Sequence, residues 1–331
     1  MRFCPIICLL LLPLSLSASF HWPTENPPSD FLPLEDLLQA TESGDPASGG
    51  FGCVRNDGDR FHEAVDLRSF EKDQRGEALD AILAAFDGEI SYVNPEAGKS
   101  SFGRYIVIEH FEDGLHYYSL YAHLSRIQPG ISTGVAVHAG QRIGTMGRSA
   151  TYVIPRERAH LHFEVCLQLS NDFQDWYDWK DFDSKNDHGN WNGMNLVGLD
   201  SQALLNYFNE HAESGSVIDF LIQQPVAFSV MVSTTRIPYL LERSPSLLMG
   251  NWPQHRVAGW RIEFTGYGIP VSWSPLYAPG KEVVPGKVAL VSFDEDEVMR
   301  YSCRHMLDIQ GDRATPGSGL QSSLQLMLGF R

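Results

Sequence analysis

The 331-residue sequence predicts a mainly β protein, with an antiparallel β-sheet domain over about 49–199 and a smaller α+β domain after it. Short apolar runs rich in Val, Ile and Tyr recur between about 88 and 167, and Gly-containing turns separate them. After Asp200 the spacing turns helical, and alternating strands then resume towards the C-terminus.

The segments follow in order. Arg2, the apolar run Phe3 to Leu16, and the small residues Ser17-Ala18-Ser19 have the form of a secretory signal peptide over 1–19. The run is too short to span a bilayer comfortably, and no later segment approaches that length. The mature chain is therefore expected outside the cytoplasm, periplasmic or extracellular, with no stable membrane insertion. Residues 20–48, rich in Pro, Ser, Glu and Asp, read as a linker or a loosely held arm.

Strands are expected at Gly88–Val93, Tyr105–His110, Leu115–Tyr121 and His160–Leu167, with two more Gly-punctuated segments between Ala136 and Gly147. Residues 77–86 fit either a short helix or a strand. The Asp-, Trp- and Asn-rich stretch 171–195 reads as a long loop of the same domain: a groove wall, a calcium site or a solvated loop. Asp200 is placed as the N-cap of a connecting helix within 200–215, with Leu204, Leu205 and Phe208 on one face. Residues 216–331 form the α+β domain, of unassigned role. Its Trp252, Trp260, Tyr267 and Trp273 are read as packing residues in preference to a binding face.

The net charge of −16 excludes a nucleic-acid binder that works by neutralising phosphates. Cys53, Cys166 and Cys303 remain once the signal is removed, so one intramolecular bridge is the maximum. A Cys53–Cys166 bridge is one reading; three buried thiols is the other.

The chemistry lies in three short segments. In Ala159-His160-Leu161-His162-Phe163-Glu164, both imidazoles project from one face of a strand, with Leu161 and Phe163 on the other. Phe61-His62-Glu63-Ala64-Val65-Asp66 offers an imidazole and a carboxylate at short spacing. Zinc accepts both types, and a hydrolytic site needs three such ligands with a fourth position for water. His62, Asp66 and one histidine of the pair meet that count. His123, in Tyr121-Ala122-His123-Leu124, closes a strand. A helical zinc motif with Glu63 as base is the rival, but Phe61, Val65 and Leu67 favour a strand and a solvent-facing Glu63.

Together these segments resemble the lysostaphin-like (LytM-type) zinc peptidases over roughly 49–168. That family carries His-x3-Asp, Tyr-x-His-Leu and His-Leu-His-Phe-Glu in this order on an antiparallel β scaffold. Gly49-Gly50-Phe51-Gly52, Ile106-Val107-Ile108-Glu109-His110 and Gly140-Gln141-Arg142-Ile143-Gly144 extend the likeness. The resemblance implies Zn2+ held by His62, Asp66 and His162, with His123 and His160 as the catalytic pair. It implies a zinc endopeptidase acting on peptidoglycan peptides, either cross-links or stem peptides, with a cross-link between D-Ala and a diamino acid as the expected bond. Some relatives instead act as non-catalytic regulators of other wall hydrolases. Three departures stand out. Ala64 replaces a glycine within the first motif. Residues 148–159, with Pro155, Arg156, Glu157 and Arg158, replace a small-residue turn beside the groove. No Tyr occupies 53–61, where some members carry one; Arg55, Arg60 or a histidine is the substitute to consider.

Overall fold

A computed structural model describes residues 19–29, 32–211, 214–278, 284–311 and 313–330. The expected signal segment lies outside the described residues except for Ser19. Among the described residues no helix is long and apolar enough to cross a membrane.

Twelve strands make up the first part: β1 Gly52–Arg55, β2 Arg60–His62, β3 Val65–Arg68, β4 Ala81–Leu83, β5 Gly88–Asn94, β6 Tyr105–Glu112, β7 Leu115–Ala122, β8 Arg126–Ile127, β9 Ala136–Val137, β10 Arg142–Thr145, β11 His160–Gln168 and β12 Leu196–Gly198. The main sheet runs β12-β11-β7-β6-β5-β9, with β3 also paired to β11. All its pairings are antiparallel. β4, β10 and β8 form a second sheet, and β1–β2 a separate hairpin. The open choice over 77–86 falls to the strand.

The period of two along the main strands separates its faces. Leu161, Phe163, Val165 and Leu167 join Ile106, Ile108, Tyr117 and Tyr121 in the large core. The opposite face carries a smaller cluster of Tyr105, Val107, Tyr118, Leu120, Ala122 and Cys166. His160, His162 and Glu164 share the parity of Cys166, so they lie on this second face.

Two readings of the flanking segments need correction. The arm is packed, not loose: Trp22, Leu34, Leu37 and Leu38 are buried, with a short helix α1 at Leu34–Leu37. Leu38 bridges Leu67, and Gln39 N–H donates to the Asp66 carbonyl at 2.7 Å, so the arm covers the free edge of β3. Its Pro- and Ser-rich composition concealed these few apolar anchors. Residues 171–195 are not a plain loop, because Phe173–Lys180 forms helix α2 with Phe173, Trp176 and Tyr177 buried. Trp191 packs on Tyr118 at 5.3 Å between ring centres and covers the smaller cluster. Among the described residues no carboxylate group in this stretch forms a cation cluster.

Helix α3, Ser201–Glu210, is capped by the Asp200 side chain, which accepts from Ala203 N–H. Helix α4, Val217–Ile222, leads into β13 Phe228–Ser233, helix α5 Tyr239–Arg243, β14 Gly259–Phe264, β15 Pro270–Leu276 and β16 Val288–Phe293. These strands form a sheet ordered β15-β14-β13-β16. Helix α6 Glu295–Met299, the hairpin β17 Leu307–Gln310 and β18 Arg313–Pro316, and helix α7 Ser318–Leu328 complete the chain. Trp260, Trp273 and Tyr267 are buried, as packing residues should be, but Trp252 is exposed and does not fit that reading.

The cysteine pairing differs from the bridge considered above. Cys53 is joined to Cys303, and Cys166 is a buried free thiol on the small cluster. Spacing along the chain could not reveal this, because the partner comes from the far end of the fold. Peptide mapping without reductant should recover Cys53 linked to Cys303. Cys166 should react with alkylating reagents only after unfolding. Reduction should lower unfolding free energy by about 2–5 kcal/mol in a denaturant titration. Recovery of a Cys53–Cys166 peptide contradicts this fold.

Candidate metal centre

The register between β3 and β11 sets Asp66 directly opposite His162, and β7 sets Ala122 on the other side of His162. His123 follows Ala122 in the left-handed region, with φ 60°, which turns the chain sharply at the strand end. His62 ends β2, opposite Gly52 of β1. Gly52 has φ 109°, a conformation that a side chain would strain, so this glycine permits the hairpin entry.

Three donor atoms converge. His62 Nε2 lies 3.2 Å from His162 Nδ1, His162 Nδ1 3.1 Å from Asp66 Oδ1, and His62 Nε2 3.3 Å from Asp66 Oδ1. All three residues are buried. A tetrahedral ion with bonds of about 2.0–2.1 Å needs donors about 3.3 Å apart. The spacing of the three donors therefore suits zinc. The far nitrogen of each imidazole is already tied: His62 Nδ1 donates to the Gly50 carbonyl at 2.7 Å, and His162 Nε2 to Glu164 Oε1 at 2.7 Å. Such bonds fix the tautomer and leave the inward nitrogen as the donor to a metal.

His123 and His160 stand beside the triangle, with ring centres 4.7 Å apart and His123 5.7 Å from His162. His123 Nδ1 donates to the Ser149 carbonyl at 2.8 Å, and His160 Nδ1 to the Arg158 carbonyl at 2.8 Å. Each keeps Nε2 as its basic nitrogen, and that of His160 is 3.6 Å from Asp66 Oδ1. Burial pulls the pKa of His123 well below the ordinary value and lowers that of His160, so both are neutral at pH 7. A neutral imidazole can take up a proton.

The charges of the centre are matched. Burial would raise the pKa of Asp66, but His62, His160 and His162 outweigh it and hold the carboxyl well below its usual range. Burial would lower that of His162, but Asp66 and Glu164 on either side push it up to about 9. Burial raises the pKa of Glu164, with the His162 bond opposing. Arg55 Nη2 bonds Asp66 Oδ2 and lies 2.8 Å from His62 Nε2. The Arg55 guanidinium would give up the His62 contact to a bound cation.

Sequence reasoning named His62, Asp66, His162, His123 and His160, and the structure brings all five together. Glu63 also lines the groove, with its side chain 40% exposed and 3.5 Å from Arg304. Glu164 and the Gly50 carbonyl were not singled out. Glu164 was legible, since it lies two residues beyond His162 on the same strand face. The carbonyl leaves no mark in the side-chain pattern.

A groove of about 1700 Å³ runs over the centre. Its lining includes Phe102, Tyr152, Met194 and Leu326, so the departing 148–159 segment, the 171–195 segment and α7 all border it. The 148–159 segment is pinned from outside, because Arg148 and Arg156 both bond the Glu77 carboxylate.

Residues 60–173 match the model of peptidase family M23. Among solved structures, a zinc-containing peptidase from Vibrio cholerae is 29% identical, with a TM-score of 0.24; the match covers 32% of this chain and 26% of that one. The catalytic domain of lysostaphin, an antimicrobial peptidase from Staphylococcus simulans, is 25% identical, with a TM-score of 0.26, over 35% of this chain and 74% of that one. The catalytic domain of the prophage-encoded M23 protein EnpA from Enterococcus faecalis is 24% identical, with a TM-score of 0.24, over 32% and 68%. No curated protein matches the chain in sequence.

The raised pKa of His162 sets a pH dependence. Below about 9 the metal-free imidazole carries a proton that a metal must displace. Zinc affinity should therefore rise with pH by about tenfold per unit between pH 6 and 8 from this one proton. Competition titrations with a chromophoric chelator would measure the slope. A flat profile contradicts the protonated state assigned to His162.

Proposed function

We propose that the segment matching peptidase family M23 is a zinc-dependent endopeptidase that hydrolyses peptide bonds of bacterial peptidoglycan, in cross-links or stem peptides. The observation that carries this reading is the donor triangle of His62, Asp66 and His162, with two neutral imidazoles beside it. A groove of about 1700 Å³ lies above it.

His62, Asp66 and His162 would hold the metal. Bound there, zinc lowers the pKa of a coordinated water and polarises the scissile carbonyl. The chain's own residues do the rest. His160 and His123 present Nε2 to the space beside the donors. One accepts the water proton at Nε2 and later passes it to the leaving amine; the other orients the attacking water by accepting from it at Nε2. The Ser149 and Arg158 carbonyls hold these two rings in the required tautomer. Glu164 orients His162, and the Gly50 carbonyl orients His62. An exported location is part of this proposal, and the Cys53–Cys303 bridge supports it, since such bonds persist in oxidising compartments.

Variants separate the two roles. His62→Ala, Asp66→Ala and His162→Ala should lose both zinc and activity. His123→Ala and His160→Ala should retain zinc while turnover falls by about 10²–10⁴-fold. Mass spectrometry of fragments released from purified peptidoglycan gives the activity, and elemental analysis gives the zinc. Bound zinc with no cleavage of any wall preparation would favour a non-catalytic regulator. Loss of activity in Glu63→Gln, with His123→Ala fully active, would overturn the assignment of the base.

A further inference from the structure

The three donors are not held alike. Asp66 and His162 face each other where β3 pairs with β11; β11 is also paired with β7 and β12, and β3 is held on its other side by the arm. His62 ends β2, whose one strand partner among the described residues is β1. Isolated two-stranded hairpins are marginally stable at best. A site that must hold its donors to a few tenths of an ångström needs something more on this side.

That support comes from about 240 residues further along the chain. Cys303 is bonded to Cys53, which lies opposite Phe61 in the hairpin. The Arg304 guanidinium lies 4.7 Å over the Phe61 ring, and its Nη1 is 3.5 Å from Glu63 Oε1. Phe61 and Glu63 are the two chain neighbours of His62, so Arg304 touches the backbone's side chains on both sides of it. Arg304 Nε also donates to the Tyr267 carbonyl at 3.2 Å, which fixes the guanidinium from behind. Tyr301 packs against Phe61 at 6.3 Å and against Phe51 at 6.4 Å. Phe51 follows Gly50, whose carbonyl receives the His62 Nδ1 proton. Residues 301–304 thus grip the first imidazole's strand, the residues beside it, and the segment that sets its tautomer.

We propose that residues 301–304 are a clamp that positions His62 for metal binding, with Cys303 and Arg304 as its positioning residues. The inference rests on the reading of His62 as a metal donor. It gives the C-terminal region a task in the metal centre, and it makes zinc affinity depend on an intact Cys53–Cys303 bond. A bridge that only stabilised the fold would change the unfolding transition and leave the affinity of the folded protein alone.

The test uses the full chain and zinc alone as the probe. Zinc dissociation constants are measured by chelator competition at fixed pH and at a temperature well below each protein's unfolding. The proteins are wild type, Cys53→Ser/Cys303→Ser, Arg304→Met and Arg304→Lys. The double variant and Arg304→Met should bind zinc about 10–100-fold more weakly, the scale on which residues that orient ligands act. Arg304→Lys, which keeps a cation over Phe61, should recover part of the loss. Should the double variant not fold, Arg304→Met and Arg304→Lys still decide, because both retain the bridge. Unchanged affinity in the folded variants overturns the clamp. Weakened affinity in a protein that cleaves no wall material keeps the clamp and removes the peptidase reading; cleavage with unchanged affinity does the reverse.

Discussion

The antiparallel register that sets Asp66 opposite His162 is the constraint on which the rest of the centre depends. A slip of one residue would turn His160, His162 and Glu164 into the large core and Leu161 and Phe163 out of it. Burial of Leu161, Phe163, Val165 and Leu167 therefore does two things at once. It stabilises the sheet, and it commits the alternate residues to the face where a metal can be held. The arm reinforces this register from the edge, since Gln39 bonds the Asp66 carbonyl and Leu38 bridges Leu67.

Placing so many polar groups on a buried face has an electrostatic cost, and the centre balances it locally. Asp66 stays ionised because imidazoles and Arg55 surround it, despite burial. His162 lies between two carboxylates and holds a proton more tightly than a free imidazole. His123 and His160 are bonded to backbone carbonyls through Nδ1 and remain neutral. One side of the centre is thus prepared to bind a cation, and the other to accept a proton. The first imidazole completes the triangle from a hairpin outside the main sheet, and the residues around Cys303 anchor that hairpin.

Much of this was legible in the sequence, for physical reasons. β5, β6, β7 and β11 alternate or run apolar between glycine turns, so their positions follow from periodicity. His160 and His162 stand at a spacing that a strand converts into one shared face, and His62 and Asp66 offer an imidazole and a carboxylate at short spacing, across the break between β2 and β3. His123 needed the neighbouring Tyr121 and Leu124 to be noticed. Features that depend on distant approach were hidden. The Cys53–Cys303 bond spans 250 residues, and no local pattern prefers Cys303 over Cys166 as the partner. Helix α2 lies in polar text in which only Phe173, Trp176 and Tyr177 are buried, so composition suggested a loop. The arm's anchors, Trp22, Leu34, Leu37 and Leu38, are isolated among prolines and acids. The altered 148–159 segment is held by Glu77, a residue with no sequence mark of that role.

The central claim is that one ion bonds His62 Nε2, Asp66 Oδ1 and His162 Nδ1. A crystal structure of the zinc-loaded protein, with anomalous scattering measured at the zinc edge, tests it most directly. The account predicts a single strong anomalous peak at about 2.0–2.2 Å from each of those three atoms, with His123 and His160 outside bonding distance. A peak bonded to His160 or His123 in place of His62 or His162 would contradict it.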